Sequence, residues 1–366
     1  MGQLECGRDT HCPYLYFQLL QAPIDASTCP VWDQLGEGID TTYENFAMAS
    51  NGSVVAVRKG EFVHIYGIDD DSMLWNLLAD PINISFTGTG QFDSFIALSS
   101  DGSVVAVADR AYDSVRGRIT VFAFHPDEVW TKLGAAIDGE NIGDRAGRSI
   151  AFSAGGTDIA IGSPLHDNYT GHVRIYTYNT KSQGWGQRGD SIRGEAVDDT
   201  SGWSVVISYD GSVVAIGAFR NDGNVSDSGH VRVFGIDDQG SNWVQRGTDI
   251  DGEASGDESG ISIDLSADGF VVAVGAYLND GNGLSSGHVR VFKYDTDDGD
   301  WIQRGDDIDG ESAGDWSGYS VAMSADGTAI AIGAEQYDGN GKNSGHLRVY
   351  DFDRSVLFWT KRSNNV

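Results

Sequence analysis

Cysteine, proline and basic residues are all scarce in this chain, and each shortage excludes something. Only three of its 366 residues are Cys. Cys6, Cys12 and Cys29 all fall in the first thirty positions, so no disulfide framework spans the chain, and the odd count leaves one thiol free or paired with another chain. Six Pro beside 49 Gly exclude a collagen-like chain. Lys and Arg number 24 against 54 Asp and Glu, a net charge of −30, which argues against nucleic acid or an anionic membrane as partner, because both need basic surface. No run of about 18 apolar residues is present to span a membrane. The opening MGQLECGRDTHC lacks the apolar core of a secretory signal, so an extracellular protein would carry its signal outside this sequence.

What is abundant is turn chemistry. Asp outnumbers Glu about four to one, and Asp, like Gly, is favoured in turns. A hydrophobic content of 40% with 10% aromatics is too high for a disordered acidic chain. These figures point to a turn-rich all-β protein.

Internal repetition then sets the architecture. Trp32, Trp75, Trp130, Trp185, Trp243, Trp301 and Trp359 recur at steps of 43, 55, 55, 58, 58 and 58 residues. The text WVQRGTDIDGEASGDESG from Trp243 returns as WIQRGDDIDGESAGDWSG from Trp301. Each unit holds four short strand-like runs, in the last unit Ser320 to Ser324, Ala329 to Ile332, His346 to Tyr350 and the Trp run. Asn51-Gly52, Asp101-Gly102, Gly155-Gly156, Asp210-Gly211, Asp268-Gly269 and Asp326-Gly327 join the first two runs, and each predicts a tight two-residue hairpin. A lone four-stranded sheet with two apolar faces cannot bury itself, whereas sheets repeated around an axis bury each other, so the fold expected is a β-propeller of four-stranded antiparallel blades. Six complete blades run from about Tyr43 to Trp359. Residues 13 to 40 supply a partial seventh, with residues 1–30 as an N-terminal Cys-containing segment and 31–366 as the propeller; six blades with the N-terminus packed outside is the alternative.

The run Ser317-Gly318-Tyr319-Ser320-Val321, then Ile332-Gly333-Ala334, then Gly345-His346-Leu347-Arg348-Val349-Tyr350, resembles the FG-GAP repeat of integrin α-subunit propellers. That family reads Phe-Gly-x-Ser-Val, Gly-Ala-Pro and Gly-x-Val-Tyr-Val-Tyr. The match recurs from Gly202 and Gly260, and more loosely from Gly147. The resemblance implies an adhesion or ligand-binding propeller, extracellular or at a cell surface. Two departures stand out. Ser201, Ser259, Ser317 and Ala146 replace the family's Phe. The Asp-rich Ca²⁺ loop that the family carries inside its first hairpin is here a short Asp-Gly turn, which cannot supply six to eight oxygens, so those metal sites do not carry over.

Blade topology puts two other loops on one face, opposite the Asp-Gly turns. The first repeats Glu and Asp four apart: Glu140 with Asp144, Glu195 with Asp199, Glu253 with Asp257, Glu311 with Asp315. The second holds Asp222, Asn224, Asp280, Asn282, Asp338 and Asn340. Short oxygen-bearing side chains around Gly suit a hard cation such as Ca²⁺, but they are also plain turn formers, and both readings stay open. His172, His230, His288 and His346 fall in register one blade apart, at least about 10 Å, so they cannot share one ion; strand-start hydrogen bonding is expected of them. Arg174, Arg232, Arg290 and Arg348, two residues later, are expected to form blade-to-blade ion pairs. Trp75, Trp130, Trp185, Trp243, Trp301 and Trp359 read as a structural ladder between blades. Trp203 and Trp316, beside the acidic loops, either contact a ligand or cap a blade. Asn51, Asn83, Asn168 and Asn224 lie in glycosylation sequons.

Ser-x-Asp-Gly recurs at Ser99, Ser208, Ser266 and Ser324, but without the Trp of a sialidase Asp-box, and reads as a turn. No nucleophile elbow, zinc-protease helix or phosphate loop is present in the sequence. The function expected is a non-enzymatic binding, adhesion or scaffold propeller that presents its acidic loop face to a protein or glycan partner, with Ca²⁺ as the candidate cation. Two alternatives are a carbohydrate-active hydrolase or lyase with carboxylates near the central channel, and a structural fragment of a larger surface protein.

Overall fold

The computed structural model describes residues 45–69, 72–84, 94–223, 225–339 and 341–362. The partial seventh blade, Trp32, the three cysteines, Asn224 and Asn340 lie outside them. Six antiparallel sheets follow one another along the chain. The first holds β1 (Asn45–Met48), β2 (Val54–Lys59), β3 (Phe62–Ile68), β4 (Trp75–Leu77) and the short β5 (Ile82–Asn83). The second holds β6 (Ser94–Leu98), β7 (Val104–Asp109), β8 (Arg118–His125), β9 (Val129–Lys132) and β10 (Ile137–Asp138). The third holds β11 (Ser149–Phe152), β12 (Asp158–Ser163), β13 (His172–Asn179), β14 (Gly184–Gln187) and β15 (Ile192–Arg193). The fourth holds β16 (Ser204–Ile207), β17 (Val213–Ala218), β18 (His230–Ile236), β19 (Trp243–Gln245) and β20 (Ile250–Asp251). The fifth holds β21 (Ser262–Leu265), β22 (Val271–Ala276), β23 (His288–Asp295), β24 (Asp300–Gln303) and β25 (Ile308–Asp309). The sixth holds β26 (Ser317–Met323), β27 (Ala329–Ala334), β28 (His346–Asp353) and β29 (Phe358–Lys361).

The apolar runs explain the arrangement. Second strands such as VVAIGA of β17 and VVAVGA of β22 are buried along their whole length, as strands covered on both faces must be. The core lies between blades rather than within one: Val173 and Ile175 of the third sheet pack with Val205, Ile207, Val214 and Ile216 of the fourth. Each such side chain contributes roughly 1.5–3 kcal/mol on burial. First strands pack in sequence, β1 on β6, β6 on β11, β11 on β16, β16 on β21 and β21 on β26. Backbone hydrogen bonds run around the same ring, from Ser100 N to Ala154 O, Ala154 N to Tyr209 O, Tyr209 N to Ala267 O and Ala267 N to Ala325 O, at 2.8–2.9 Å.

Trp185, Trp243, Trp301 and Trp359 each donate an indole N–H to a carbonyl of the preceding blade, at Leu133, Arg188, Arg246 and Arg304, whereas the Trp130 indole N–H makes no hydrogen bond to protein. The hairpins differ from the expected form. Gly52, Gly102, Gly156, Gly211, Gly269 and Gly327 do have φ of 65–74°, but the residue before each does not adopt positive φ. A two-residue type I′ turn needs positive φ at both positions. The connection instead spans four residues: Ser99 N bonds Val104 O, and Gly102 N closes a tighter turn onto Ser99 O, both at 2.9 Å. Ser99 Oγ donates to Asp101 Oδ1 at 2.7 Å and accepts from Val104 N at 2.9 Å, while Asp101 Oδ1 also accepts from Ser103 N. Ser-x-Asp-Gly is thus a side-chain clamp on its own hairpin, repeated at Ser208, Ser266 and Ser324.

Candidate functional site: the acidic loop face

The two long loops of the repeat meet, as topology predicts. Bridges Gly171–Ser201, Gly229–Ser259 and Gly287–Ser317 join the loop after the second strand of one blade to the loop leading into the next. Behind them the blades touch backbone to backbone: a Cβ on Gly162, Gly217 or Gly275 would stand 2.1–2.2 Å from the carbonyl of Gly202, Gly260 or Gly318, so only Gly permits this approach.

The Glu and Asp of the first loop, alike in sequence, part company in space. Asp144, Asp199, Asp257 and Asp315 are buried, and each turns Oδ2 inward to accept backbone N–H groups: Asn141 at 2.7 Å, Ala196 at 2.7 Å, Ala254 at 3.0 Å and Ser312 at 2.8 Å. They staple their own loop. Glu140, Glu195 and Glu253 are half-exposed and face the next blade, where Arg174, Arg232 and Arg290 stand 3.6–3.9 Å from their Oε1 atoms. Those buried guanidinium groups also donate to the carbonyls of Asp138, Arg193 and Asp251 at 2.8, 2.6 and 2.5 Å, so the blade-to-blade role is real and includes main-chain acceptors. Arg348 instead donates to Ser317 Oγ at 2.6 Å, and Glu311 pairs with Lys361 Nζ at 2.8 Å.

Burial pushes the carboxyls of Glu195 and Glu253 above their ordinary values; Arg232 and Arg290 oppose it, and neighbouring aspartates add to it. Glu311 moves the other way, held down by its hydrogen bond to Lys361. In the second loop, Asp222, Asp280 and Asp338 each accept a backbone N–H on Oδ1, from Asp227, Ser285 and Asn343. Asn282 donates to Gly310 O at 2.8 Å. Trp203 lies beneath the Arg148 guanidinium at 3.9 Å and beside Phe219. Trp316 packs edge-on to Tyr277 and alongside Tyr319.

Two of the registered histidines, His172 and His230, overturn the hydrogen-bonding expectation. His172, His230 and His288 are wholly buried, and neither ring nitrogen of His172 or His230 makes a hydrogen bond to protein. The carboxylates they face stand 3.6–3.9 Å away, beyond bonding reach: Glu140 for His172, Glu195 and Asp249 for His230, Glu253 and Asp307 for His288. The strand start is occupied by sheet pairing on both sides, β12 and β15 flanking His172, which leaves the ring no backbone partner. Burial holds His172 down to about 3, with His166, Arg174 and Arg193 adding to the effect; His230 and His288 are lowered by the same cause.

Sequence reasoning missed His166. Its signal was a column in which otherwise repeated text carries Tyr112, His166, Asn221, Asn279 and Tyr337 in successive blades. His166 is buried, stacks on His172 with ring centres 3.9 Å apart, and bonds Asp144 Oδ2 through Nδ1 at 3.1 Å. It sits in a short turn where Asp167, Asn168 and Tyr169 all have left-handed φ of 51–65°, a conformation costly for non-glycine residues. A cavity of about 340 Å³, lined in part by Asn141, Ile142, Asp144 and Tyr169, opens beside it.

Residues 308–350 match the FG-GAP repeat family model. No curated protein sequence matches the chain. Solved structures are similar in fold. One is a provisional 6-phosphogluconolactonase from Bacteroides uniformis, 13% identical, with a TM-score of 0.62 over 91% of this chain and 87% of that one. Another is a protein of unknown function from Desulfotomaculum acetoxidans, 13% identical, with a TM-score of 0.55 over 84% and 78%. At such identity the likeness concerns the fold alone. Among the described residues no helix is long and apolar enough to cross a membrane. The repeated text, the succession of antiparallel sheets, five of five strands and the last of four, and the match over the last unit agree: the chain is a β-propeller with FG-GAP-like repeats.

Proposed function

We propose that the protein is a binding or scaffold propeller that meets a protein or glycan partner through its loop face, outside the cell or at its surface. One observation carries this reading. Large apolar side chains stand at the tips of these loops, among carboxylates: Ile142 is 64% exposed, Val197 59%, Leu284 76% and Tyr169 48%. Contiguous apolar surface rimmed by polar groups marks interaction sites, and Ile142 and Tyr169 line one cavity together with Asn141, Asp144 and Asp167. Most of the acidic side chains behind them are tied into loop staples and Arg pairs, which suits a rigid presenting surface. Ca²⁺ would assist through the outer oxygens of Asp222, Asp280 and Asp338; a thermal melt unchanged by chelator would remove it from the proposal. Protein and glycan arrays probed with the wild type and with Ile142→Asp/Val197→Asp/Leu284→Asp test the surface. Ligands held by the wild type should be lost at least tenfold in the triple variant, and equal binding would overturn the reading.

A second reading, a carbohydrate-active hydrolase or lyase, draws on one observation: the loop symmetry breaks at the third blade, where His166 joins Glu140 and His172. Turnover of a sugar lactone or glycan, abolished in Glu140→Gln, would replace the binding reading.

A further inference from the structure

Three clusters of the loop face bring imidazole and carboxylate donor atoms within 4.8 Å of one another: Glu140–His166–His172, Glu195–His230–Asp249 and Glu253–His288–Asp307. In the first, the two rings stack face to face, with 3.9 Å between centres and 19° between planes, so their in-plane lone pairs cannot converge on one ion. The other two each hold a single imidazole and two carboxylates. We propose that these two are equivalent divalent transition-metal sites of Zn²⁺ type. His230 Nδ1, Glu195 Oε2 and Asp249 Oδ2 are the ligands of one, and His288 Nδ1, Glu253 Oε2 and Asp307 Oδ2 those of the other, with water in the remaining positions.

The argument begins at His230. It is 1% exposed, and neither ring nitrogen bonds to a protein atom, a state that costs free energy. Its Nδ1 is turned to two carboxylates at once, Asp249 Oδ2 at 3.6 Å and Glu195 Oε2 at 3.9 Å. These separations are too long for hydrogen bonds. They lie near the spacing of ligands on a shared ion, since bonds of about 2.0–2.2 Å set tetrahedral ligands about 3.4 Å apart. Both acidic side chains are partly exposed, so they are free to close the remaining gap and leave a side open to water. Two carboxylates brought this close to each other repel, and a divalent cation between them cancels that repulsion. An imidazole in the set selects a borderline transition metal over Ca²⁺ or Mg²⁺, which take oxygen ligands.

Each carboxylate also has its other oxygen held from behind, which aims the free one at the imidazole, as the outer partners of metal ligands do. Gln245 Nε2 donates to Asp249 Oδ1 at 2.6 Å, and Arg232 Nη1 stands 3.6 Å from Glu195 Oε1. The fifth blade repeats the whole arrangement. Gln303 Nε2 donates to Asp307 Oδ1 at 2.7 Å, Arg290 Nη1 stands 3.6 Å from Glu253 Oε1, and buried His288 turns Nδ1 to Glu253 Oε2 and Asp307 Oδ2, both at 3.9 Å. The third blade shows that the turn does not need the carboxylate. There Ile192 pairs with Val173 as Ile250 pairs with Val231, so Ser191 holds the place of Asp249, and Gln187 Nε2 reaches its Oγ at 3.4 Å. A hydroxyl closes that turn, and what Asp249 and Asp307 add is a second anionic oxygen facing a buried imidazole.

The test uses the full chain, stripped of metal by chelator, dialysed, and titrated with Zn²⁺ by calorimetry at neutral pH. The wild type should take up two equivalents, and excess Ca²⁺ should leave the titration unchanged. Asp249→Asn and Asp307→Asn keep an oxygen for the Gln contact and should fold with an unchanged metal-free melting temperature. Each should lose one equivalent, and the double variant should lose both. Asp222→Asn, which removes a carboxylate of the neighbouring loop, should keep two and so separates these sites from the general acidity of the face. Fewer than two equivalents in the wild type, either equivalent surviving in the double variant, or one lost in Asp222→Asn would overturn the proposal.

Discussion

The two faces of this propeller carry the same kind of charge and use it in opposite ways. On the turn face, Asp101, Asp210 and Asp326 serve their own hairpin, each accepting a Ser Oγ and a backbone N–H two residues on. On the loop face, Glu140, Glu195 and Glu253 look across to the Arg of the next blade. The titration follows the geometry. Burial works to raise the turn-face carboxyls, but their Ser and backbone hydrogen bonds outweigh it and leave them below the ordinary value. On the loop face burial wins for Glu195 and Glu253. A net charge of −30 thus combines local clamps that favour ionisation with inter-blade groups that resist it.

If the loop face is where blades join, the largest loss should follow a change there. Gly275→Ala sets a Cβ 2.1 Å from Gly318 O, which must part the fifth and sixth blades; a loss of about 3 kcal/mol in chemical denaturation is expected. Gly186→Ala, with nothing within 4 Å, is the control and should be near neutral. Arg232→Met should cost about 2 kcal/mol, because a charged hydrogen bond to Arg193 O and the pairing with Glu195 both vanish; a neutral result would mean the guanidinium is not an inter-blade strut. On the turn face Ser208→Ala strips the buried Val213 N–H of a side-chain acceptor and should cost about 1 kcal/mol, with the damage confined to hydrogen exchange in the β16–β17 hairpin.

The parts legible in the sequence are those that depend on period. The Trp ladder, the four-strand unit and the Arg that reaches the previous blade all recur at a fixed step, and packing between identical units needs nothing more. What stayed hidden depends on direction. The pair Asp-Gly announces a turn but not its register; the Ser two residues before Asp, whose Oγ both donates and accepts, stretches the connection to four residues. Glu140 and Asp144 share one loop, yet one carboxylate points out to Arg174 and the other in to Asn141 N, and spacing alone does not separate them. The registered histidines suggested hydrogen bonds because polar groups at strand starts usually make them, whereas at His172 and His230 both flanking strands pair through backbone and the ring nitrogens bond no protein atom. His166 gives no periodic signal, because its column carries Tyr112, His166, Asn221, Asn279 and Tyr337 in turn.

The smallest effect is also the most direct test of the contrast between the faces. Asp210→Asn should fold, since the first blade already uses Asn51 in that turn, where its Oδ1 accepts Ser53 N at 3.0 Å. Asp210 has a lowered folded value, so its stabilising contribution is present above the unfolded value of about 3.9 and is lost as pH falls through the folded one. The melting-temperature advantage of the wild type over Asp210→Asn should therefore be full at neutral pH and shrink on acidification below about pH 4. Glu195 has a raised value, so its contribution is fully present below the unfolded value of about 4.3 and is lost as pH rises through the folded one. The wild type should lose ground to Glu195→Gln as pH climbs from about 4 toward neutrality. Melting curves for the three proteins between pH 2.5 and 7 would give difference plots of opposite slope. Slopes of the same sign would mean that the acidic groups of both faces respond to overall charge repulsion rather than to the clamps and struts that hold them.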